Sequence, residues 1–498
     1  MDLLLGLDVG TTATKALLFD LCGHVVASAS YQYGLITPHE GWVEQDPEDL
    51  WRGVVETTRA VARDLRPEDR VLALSQSSQG GTTIPVDADG CPTYNAISWM
   101  DQRAVIQADR LRDEWGDEFV RATTGWAPFS GLPLQHIAWL RDNRPDVFEA
   151  SRYFLFVNDF IGYRLTGEFC MNPSDASITQ LFNIAEVDWD DRLLTSAGIR
   201  RDQLSPVHES GHVVGHITRA ASEATGLPTS VLVANGAHDQ YCAAVGIGVY
   251  HPGRVMLSSG TAWVILAVPE NIDIGLGTGM SMSCHAVPGR WGALRSLGGV
   301  GTSLEWFLDQ VWEGGRSRTE SRSVGRGGLY DEITEAVRRS PPGAEGLLFF
   351  PLSGGHSVQT GVTHGGFVGL SLSHSRDDMA RAVLEGVAFE LRWVLDEIQA
   401  GGLRVDELKM VGGAARSSVW PRIVADITGV PVALPSVTEA ACLGAAALSG
   451  VGAGVFPSAE ETFGYLTEQE SRVDPANDLK PIYDGRFARY QRSFAALE

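Results

Sequence analysis

Residues 3–20 read LLLGLDVGTTATKALLFD. An apolar strand ends on an acid, Asp8; a tight turn carries Gly10, Thr11 and Thr12; a second strand then leaves through Lys15. Such a turn presents backbone N–H groups and two hydroxyls at one point, which is how a short glycine turn cradles phosphate oxygens. Asp8 beside it can hold a hydrated Mg²⁺, and Lys15 can reach back toward the phosphates as a point charge. An ordinary β-hairpin with an acid in its turn would read the same way, so the rest of the chain has to decide.

Residues 255–266, VMLSSGTAWVIL, repeat the device: an apolar strand, a small-residue turn with Gly260 and Thr261, and another apolar strand. Two phosphate hairpins about one domain apart imply a duplicated α/β fold closing on a nucleotide from both sides. At 498 residues the chain exceeds what one core sustains, about 250–300 residues, so two large domains are expected, 1–246 and 247–498. The formal net charge of −23 argues against nucleic acid or an anionic membrane as partner. It also means that an anionic nucleotide must be drawn in locally, by metal, backbone N–H groups and a few cations.

The six cysteines, Cys22, Cys91, Cys170, Cys242, Cys284 and Cys442, form no C-x-x-C pair. They read as reduced, buried thiols of a cytoplasmic protein rather than as disulfides or a zinc cage. MDLLLGLDVG lacks a basic leader region and reaches Asp8 after a short apolar stretch, so it reads as a strand and not a signal peptide. No apolar run approaches a membrane span.

Along the first half, Asp46-Pro47-Glu48 supplies an N-cap, a proline at the first turn and an early acid, and starts a helix. VLALSQSS (71–78) reads as a buried strand, and a hairpin follows that turns at Asp89-Gly90. VLVANGAHDQYCAAVGIG (231–248) reads as a strand running into a small-residue helix where the domains join. In the second half, helices are expected after Gly301 and from about Arg376 to Ala400, and KMVGGAARSSVWPRIVADITGVPVAL reads strand, glycine turn, helix, strand. GGRSRTESRSVGRGG (314–328) reads as a polar, mobile loop.

These motifs, in this order over nearly the whole chain, resemble the FGGY carbohydrate kinase family, and its xylulokinase members most. The resemblance implies two ribonuclease H-like domains of the actin and hexokinase type with a catalytic cleft between them. It implies ATP-dependent phosphorylation of a primary hydroxyl of a small sugar, with ATP and Mg²⁺ required, and members that often pair as homodimers. Phosphoryl transfer needs a positioned hydroxyl, a base for its proton and a metal-neutralised triphosphate. Asp239, after a strand and at a helix N-terminus that favours a carboxylate, matches the family's catalytic base and would share the metal with Asp8. His238 and Gln240 flank it, and Gln240 is a candidate for bonding substrate.

The family places its sugar on the first domain. The resemblance carries that role to Gln79, Gly80 and Gly81, and to Trp99, Asp101 and Arg103 of the W-x-D-x-R pattern. An amide, a carboxylate and a guanidinium suit hydroxyls, and an indole suits a sugar's apolar face; Asp101 and Arg103 could equally lock a loop. Xylulokinases carry a methionine-histidine pair where this chain has Gly80-Gly81, and His136 stands where a lysine is often found. Both departures should enlarge or reshape the sugar pocket, which leaves L-xylulose, ribulose, erythritol and glycerol open beside the ketopentose. On the nucleotide side, Gly260 and Thr261 match the second phosphate turn, and Gly301 and Glu305 a nucleotide contact. Gly412, Gly413, Ala414 and Ser417 match the adenosine turn, where glycines let the backbone approach purine and ribose.

Other readings fail on spacing. His208-Glu209-Ser210-Gly211-His212 fits H-E-x-x-H, but Pro206, Gly211 and Gly215 and the alternation of HVVGHIT, which includes His216, argue for an edge strand rather than the helix a zinc protease needs. There is no G-x-x-x-x-G-K-[ST] loop, and Gly299-Val300-Gly301 lacks a Rossmann context. A nucleotide-binding regulator on the same fold would need the phosphate turns but not Asp239 together with W-x-D-x-R. Sugar-dependent release of ADP separates that reading from a kinase.

Overall fold

The computed structural model describes residues 1–312, 326–356, 365–437, 439–466 and 470–494. The opening hairpin forms as read: β1 (Asp2–Val9) pairs antiparallel with β2 (Ala13–Asp20), with Asp8 opposite Lys15 across the turn. β1 is apolar and buried along nearly all its length because it is central, flanked by β2 and by the parallel strand β4 (Arg70–Ser78), with helices on both faces. β3 (Val25–Gln32) extends the sheet beyond β2. On the other side β6 (Leu232–His238) runs parallel to β4, and β5 (Val213–His216) closes the edge antiparallel to β6. The H-E-x-x-H stretch therefore leads into an edge strand, where its two histidine rings stack 4.4 Å apart. Helix α1 (Pro47–Ala62) covers one face, its first turn capped by the Asp46 side chain.

The second sheet repeats the plan. β7 (Gly253–Ser259) and β8 (Trp263–Ala267) form the hairpin, and β10 (Trp291–Gly298) adds antiparallel beyond β8. β11 (Val405–Val411) and β12 (Val432–Pro435) run parallel from β7, and β13 (Glu470–Val473) closes antiparallel. One further strand, β9 (Ser281–Cys284), extends the sheet past β10. The order of directions is the same in both sheets, which is the duplication that the paired hairpins imply.

Two helices pack together at the junction. α3 (Asp239–Gly246) follows β6, and α8 (Ala440–Gly452), from the C-terminal part of the chain, lies against β1, β4 and α3. Their approach depends on glycine: a Cβ on Gly6 would stand 1.9 Å from the Cys442 carbonyl oxygen, and one on Gly444 1.8 Å from that of Cys242. The short helix α2 (Pro173–Ser177) precedes α3; α4 (Thr302–Phe307), α5 (Arg326–Arg339), α6 (Arg376–Ala400) and α7 (Trp420–Thr428) come between α3 and α8 in sequence, and α9 (Lys480–Phe494) follows α8. Most of the loop expected at 314–328 lies outside the described residues; its last three residues instead begin α5. All six cysteines are free, but Cys22 and Cys91 are exposed rather than buried. No described helix is long and apolar enough to cross a membrane.

Candidate active site

The first phosphate turn is braced from three directions. Tyr33 Oη donates to the Gly10 carbonyl (2.6 Å), Gln45 Nε2 to the Thr11 carbonyl (2.8 Å) and Trp99 Nε1 to Thr11 Oγ1 (3.1 Å). Gly10 closes the turn itself, its N–H donating to the Ala13 carbonyl at 3.0 Å, and Thr12 is left exposed.

Asp8 and Asp239 are brought together where β1 and β6 end. Burial, and next the charge of Asp239, push the Asp8 carboxyl up to about 6, against the pull of Ser77, whose hydroxyl donates to it at 2.8 Å, and of Lys15. A buried acid destabilised by a second acid marks a place short of positive charge, so these carboxylates fit a divalent cation that takes its other ligands from water and phosphate. Lys15 does not point free at that place. Its ammonium is ion-paired with Glu439, just before α8, at 2.6 Å.

On the sugar side the expected residues separate. Gln79, Gly80, Gly81 and Trp99 gather beside the turn; Trp99 is 44% exposed and Gln79 Nε2 donates to Gln45 Oε1 at 2.9 Å. Asp101 and Arg103 are instead withdrawn. Their side chains are fully buried and bonded to each other, Asp101 also accepts from the Val43 N–H, and Arg103 reaches Glu44 at 2.8 Å and stacks on Trp42. An acid and an arginine two residues apart satisfy each other bidentately, and enclosed by Trp42 and Glu44 they hold the loop that carries Trp99, with Arg103 Nη1 left buried without a partner.

The two departures from xylulokinases also resolve differently. His136 is a core residue whose Nδ1 lies 3.1 Å from Thr83 Oγ1, and burial pushes its imidazole down to about 3. Gly80 does not simply enlarge the pocket. A Cβ there would lie 2.6 Å from His238 Cδ2 and 2.8 Å from Ile178 Cδ1, so those side chains already occupy the space. The His238 ring, which burial keeps neutral, places Nε2 3.1 Å from Asp239 Oδ1. Asp239 Oδ1, His238 Nδ1, Gln79 Oε1 and Gln240 Oε1 are buried without hydrogen-bond partners.

The second turn opens into a cavity of about 820 Å³. Gly260, Thr261, Gly301, Glu305, Gly413, Ala414 and Ser417 all line it, as their motifs imply. Gly301 packs on the turn, donating to the Thr261 carbonyl at 3.1 Å, where a Cβ would meet the Gly260 carbonyl oxygen at 2.4 Å. Gly412 lies behind the cavity with φ +99°, its α-carbon against the backbone of Ser259, which only glycine allows. Ser417 accepts from the Trp420 N–H and so starts α7. The sequence reading missed a wall: Tyr330, Asp331 and Thr334 of α5, and Arg416 beside the adenosine turn. The apolar spacing of α5 was legible, but nothing local says which face meets a cavity. Gln45 was missed as well, although it immediately precedes the recognised cap Asp46.

The match to known proteins covers the same ground. The model of the FGGY family of carbohydrate kinases, N-terminal domain, matches residues 3–246, and that of the C-terminal domain residues 257–453. The chain is 28% identical to a xylulose kinase of Staphylococcus epidermidis over 98% of its own length and 96% of that protein's. It is 30% identical to a gluconokinase of Bacillus subtilis, covering 89% and 86%. The crystal structure of xylulose kinase from Rhodospirillum rubrum superposes with a TM-score of 0.87 over 99% of both chains at 27% identity.

Proposed function

Since the chain belongs to the FGGY family of carbohydrate kinases and is an ATP-dependent sugar kinase, we propose that its substrate is a ketopentose, phosphorylated on a primary hydroxyl. The observation that carries the reading is Asp239, at the first turn of α3, beside Asp8 and the first phosphate turn, with an unpartnered buried oxygen. The xylulose kinases among the relatives support the ketopentose; the gluconokinase keeps other sugars in play.

The sugar's hydroxyl lies against Asp239, which takes its proton as the sugar oxygen bonds to the γ-phosphorus and the bond from that phosphorus to the ADP oxygen breaks. Trp99 stacks on the apolar face of the carbon chain, and Gln79 and Gln240 bond its hydroxyls. Backbone N–H groups and hydroxyls of Gly10, Thr11 and Thr12 on one side, and of Gly260 and Thr261 on the other, hold the triphosphate. Gly301, Glu305, Gly413, Ala414 and Ser417 seat the nucleoside. Asp8 and Asp239 would hold Mg²⁺, which when bound neutralises the phosphate oxygens. Lys15, released from Glu439, supplies a further positive charge to the phosphates. Closure of the two halves excludes the water that would otherwise hydrolyse ATP.

The test is a coupled assay of ADP release over ketopentoses, other ketoses, polyols and aldonates. The reading expects the highest kcat/KM with a ketopentose. A preference for another sugar removes the ketopentose and leaves the kinase.

A further inference from the structure

A chain of two amides joins the first phosphate turn to the sugar pocket. The Thr11 carbonyl accepts from Gln45 Nε2 at 2.8 Å, and Gln45 Oε1 accepts from Gln79 Nε2 at 2.9 Å. A carbonyl oxygen can only accept, so the first bond fixes which end of the Gln45 carboxamide faces the turn. The second bond then fixes Gln79 in turn, leaving Gln79 Oε1 as the free end, buried and without a partner. Gln45 and Gln79 are 1% and 3% exposed, so water cannot rescue a flipped amide.

One more group at this end is an acceptor: Asp239 Oδ1, buried and without a hydrogen bond, with His238 Nε2 3.1 Å away. The cations closest in sequence to the site are ion-paired: Arg103 with Asp101 and Glu44, though its Nη1 is buried without a hydrogen-bond partner, and Lys15 with Glu439.

We propose that Gln45 is a positioning residue that locks Gln79 with its oxygen toward the substrate, so that the pocket takes hydroxyl donors and selects a neutral polyhydroxy compound over a sugar acid. Each hydroxyl can donate to one of these oxygens. A carboxylate would face them acceptor to acceptor, with no unpaired side-chain cation beside it. This deepens the sugar-kinase reading and rests on it.

The test measures ADP release by the full-length protein with matched pairs, a pentitol or ketopentose against the corresponding pentonate, and a hexitol against gluconate. The expected result is a kcat/KM about 100-fold or more higher for the neutral member of each pair. Gln45→Met removes both bonds and frees the Gln79 amide. It should raise the sugar KM more than the ATP KM and narrow the neutral-to-acid ratio to within about tenfold. A wild-type preference for acids overturns the proposal even if the Gln45→Met protein fails to fold. So does a folded, nucleotide-binding Gln45→Met protein with the wild-type ratio and sugar KM. Absence of sugar-dependent ADP release with every compound would instead defeat the sugar-kinase reading itself.

Discussion

Asp239 and Asp159 are both aspartates of the N-terminal half, and their surroundings differ. Asp239 keeps a third of its side chain open, toward the cleft. Replacing it with asparagine keeps the shape and removes the proposed proton acceptor, so kcat should fall by about 10³-fold in a protein that still folds and still binds nucleotide, read by calorimetry. Near-normal turnover would take the base role from it. Asp159 is wholly buried, accepts from the Phe156 N–H and the Ser205 hydroxyl, and is pushed by burial up to about 7. Because this exceeds the value in an unfolded chain, the folded protein holds the extra proton between about pH 4 and 7. The stability this gives is complete below about pH 4 and is lost as pH rises through about 7. Asp159→Asn should therefore flatten the fall in melting temperature between pH 5 and 8; an unchanged slope would assign that fall to other groups.

The pairing of α3 with α8 sets the tolerance of whole elements to change. Gly444 brings α8 onto the carbonyl of Cys242, and the obstacle to a Cβ is backbone that cannot move aside. Gly444→Ala should lower the melting temperature and the soluble yield, since the helices must separate or bend. Gly485 in α9 is the contrast: it is exposed, its φ is ordinary, and a Cβ there meets nothing within 4 Å. Gly485→Ala should stabilise the chain by about 0.5–1 kcal/mol through the entropy that glycine loses on entering a helix. If both substitutions move the melting temperature the same way, packing at the α3–α8 contact is not what distinguishes them.

At the scale of the molecule, the two halves are stitched together along one side. Trp126 Nε1 donates to Ser283 Oγ, the Cys284 N–H to Ser177 Oγ, Trp291 Nε1 to the Ile184 carbonyl and Tyr241 Oη to the Gly292 carbonyl, at 3.0–3.2 Å. These bonds tie β9 and β10 to the first half. Sugar together with a non-hydrolysable ATP analogue should reduce the radius of gyration in solution scattering, and neither ligand alone should do so as fully. An unchanged radius with both bound would mean that the halves do not close.

The repeated hairpins, the parallel strands beside them and the capped helices were legible because each is written within a few consecutive residues: an apolar run, a glycine turn, an Asp-Pro start. The turns that line the cavity were legible from their glycines, of which Gly301 and Gly412 stand where a close approach or a positive φ requires one. What a side chain faces was not. W-x-D-x-R reads as one motif, yet Trp99 opens to the cleft while Asp101 and Arg103 are sealed by Trp42 and Glu44 from another segment. Lys15 finds a partner 424 residues away, Gly80 is filled by His238, and α5 supplies a cavity wall. Sequence alone thus determined the elements and the chemistry available to them. Burial and pairing between distant segments, which only folding brings within hydrogen-bond range, decided which residues carry that chemistry.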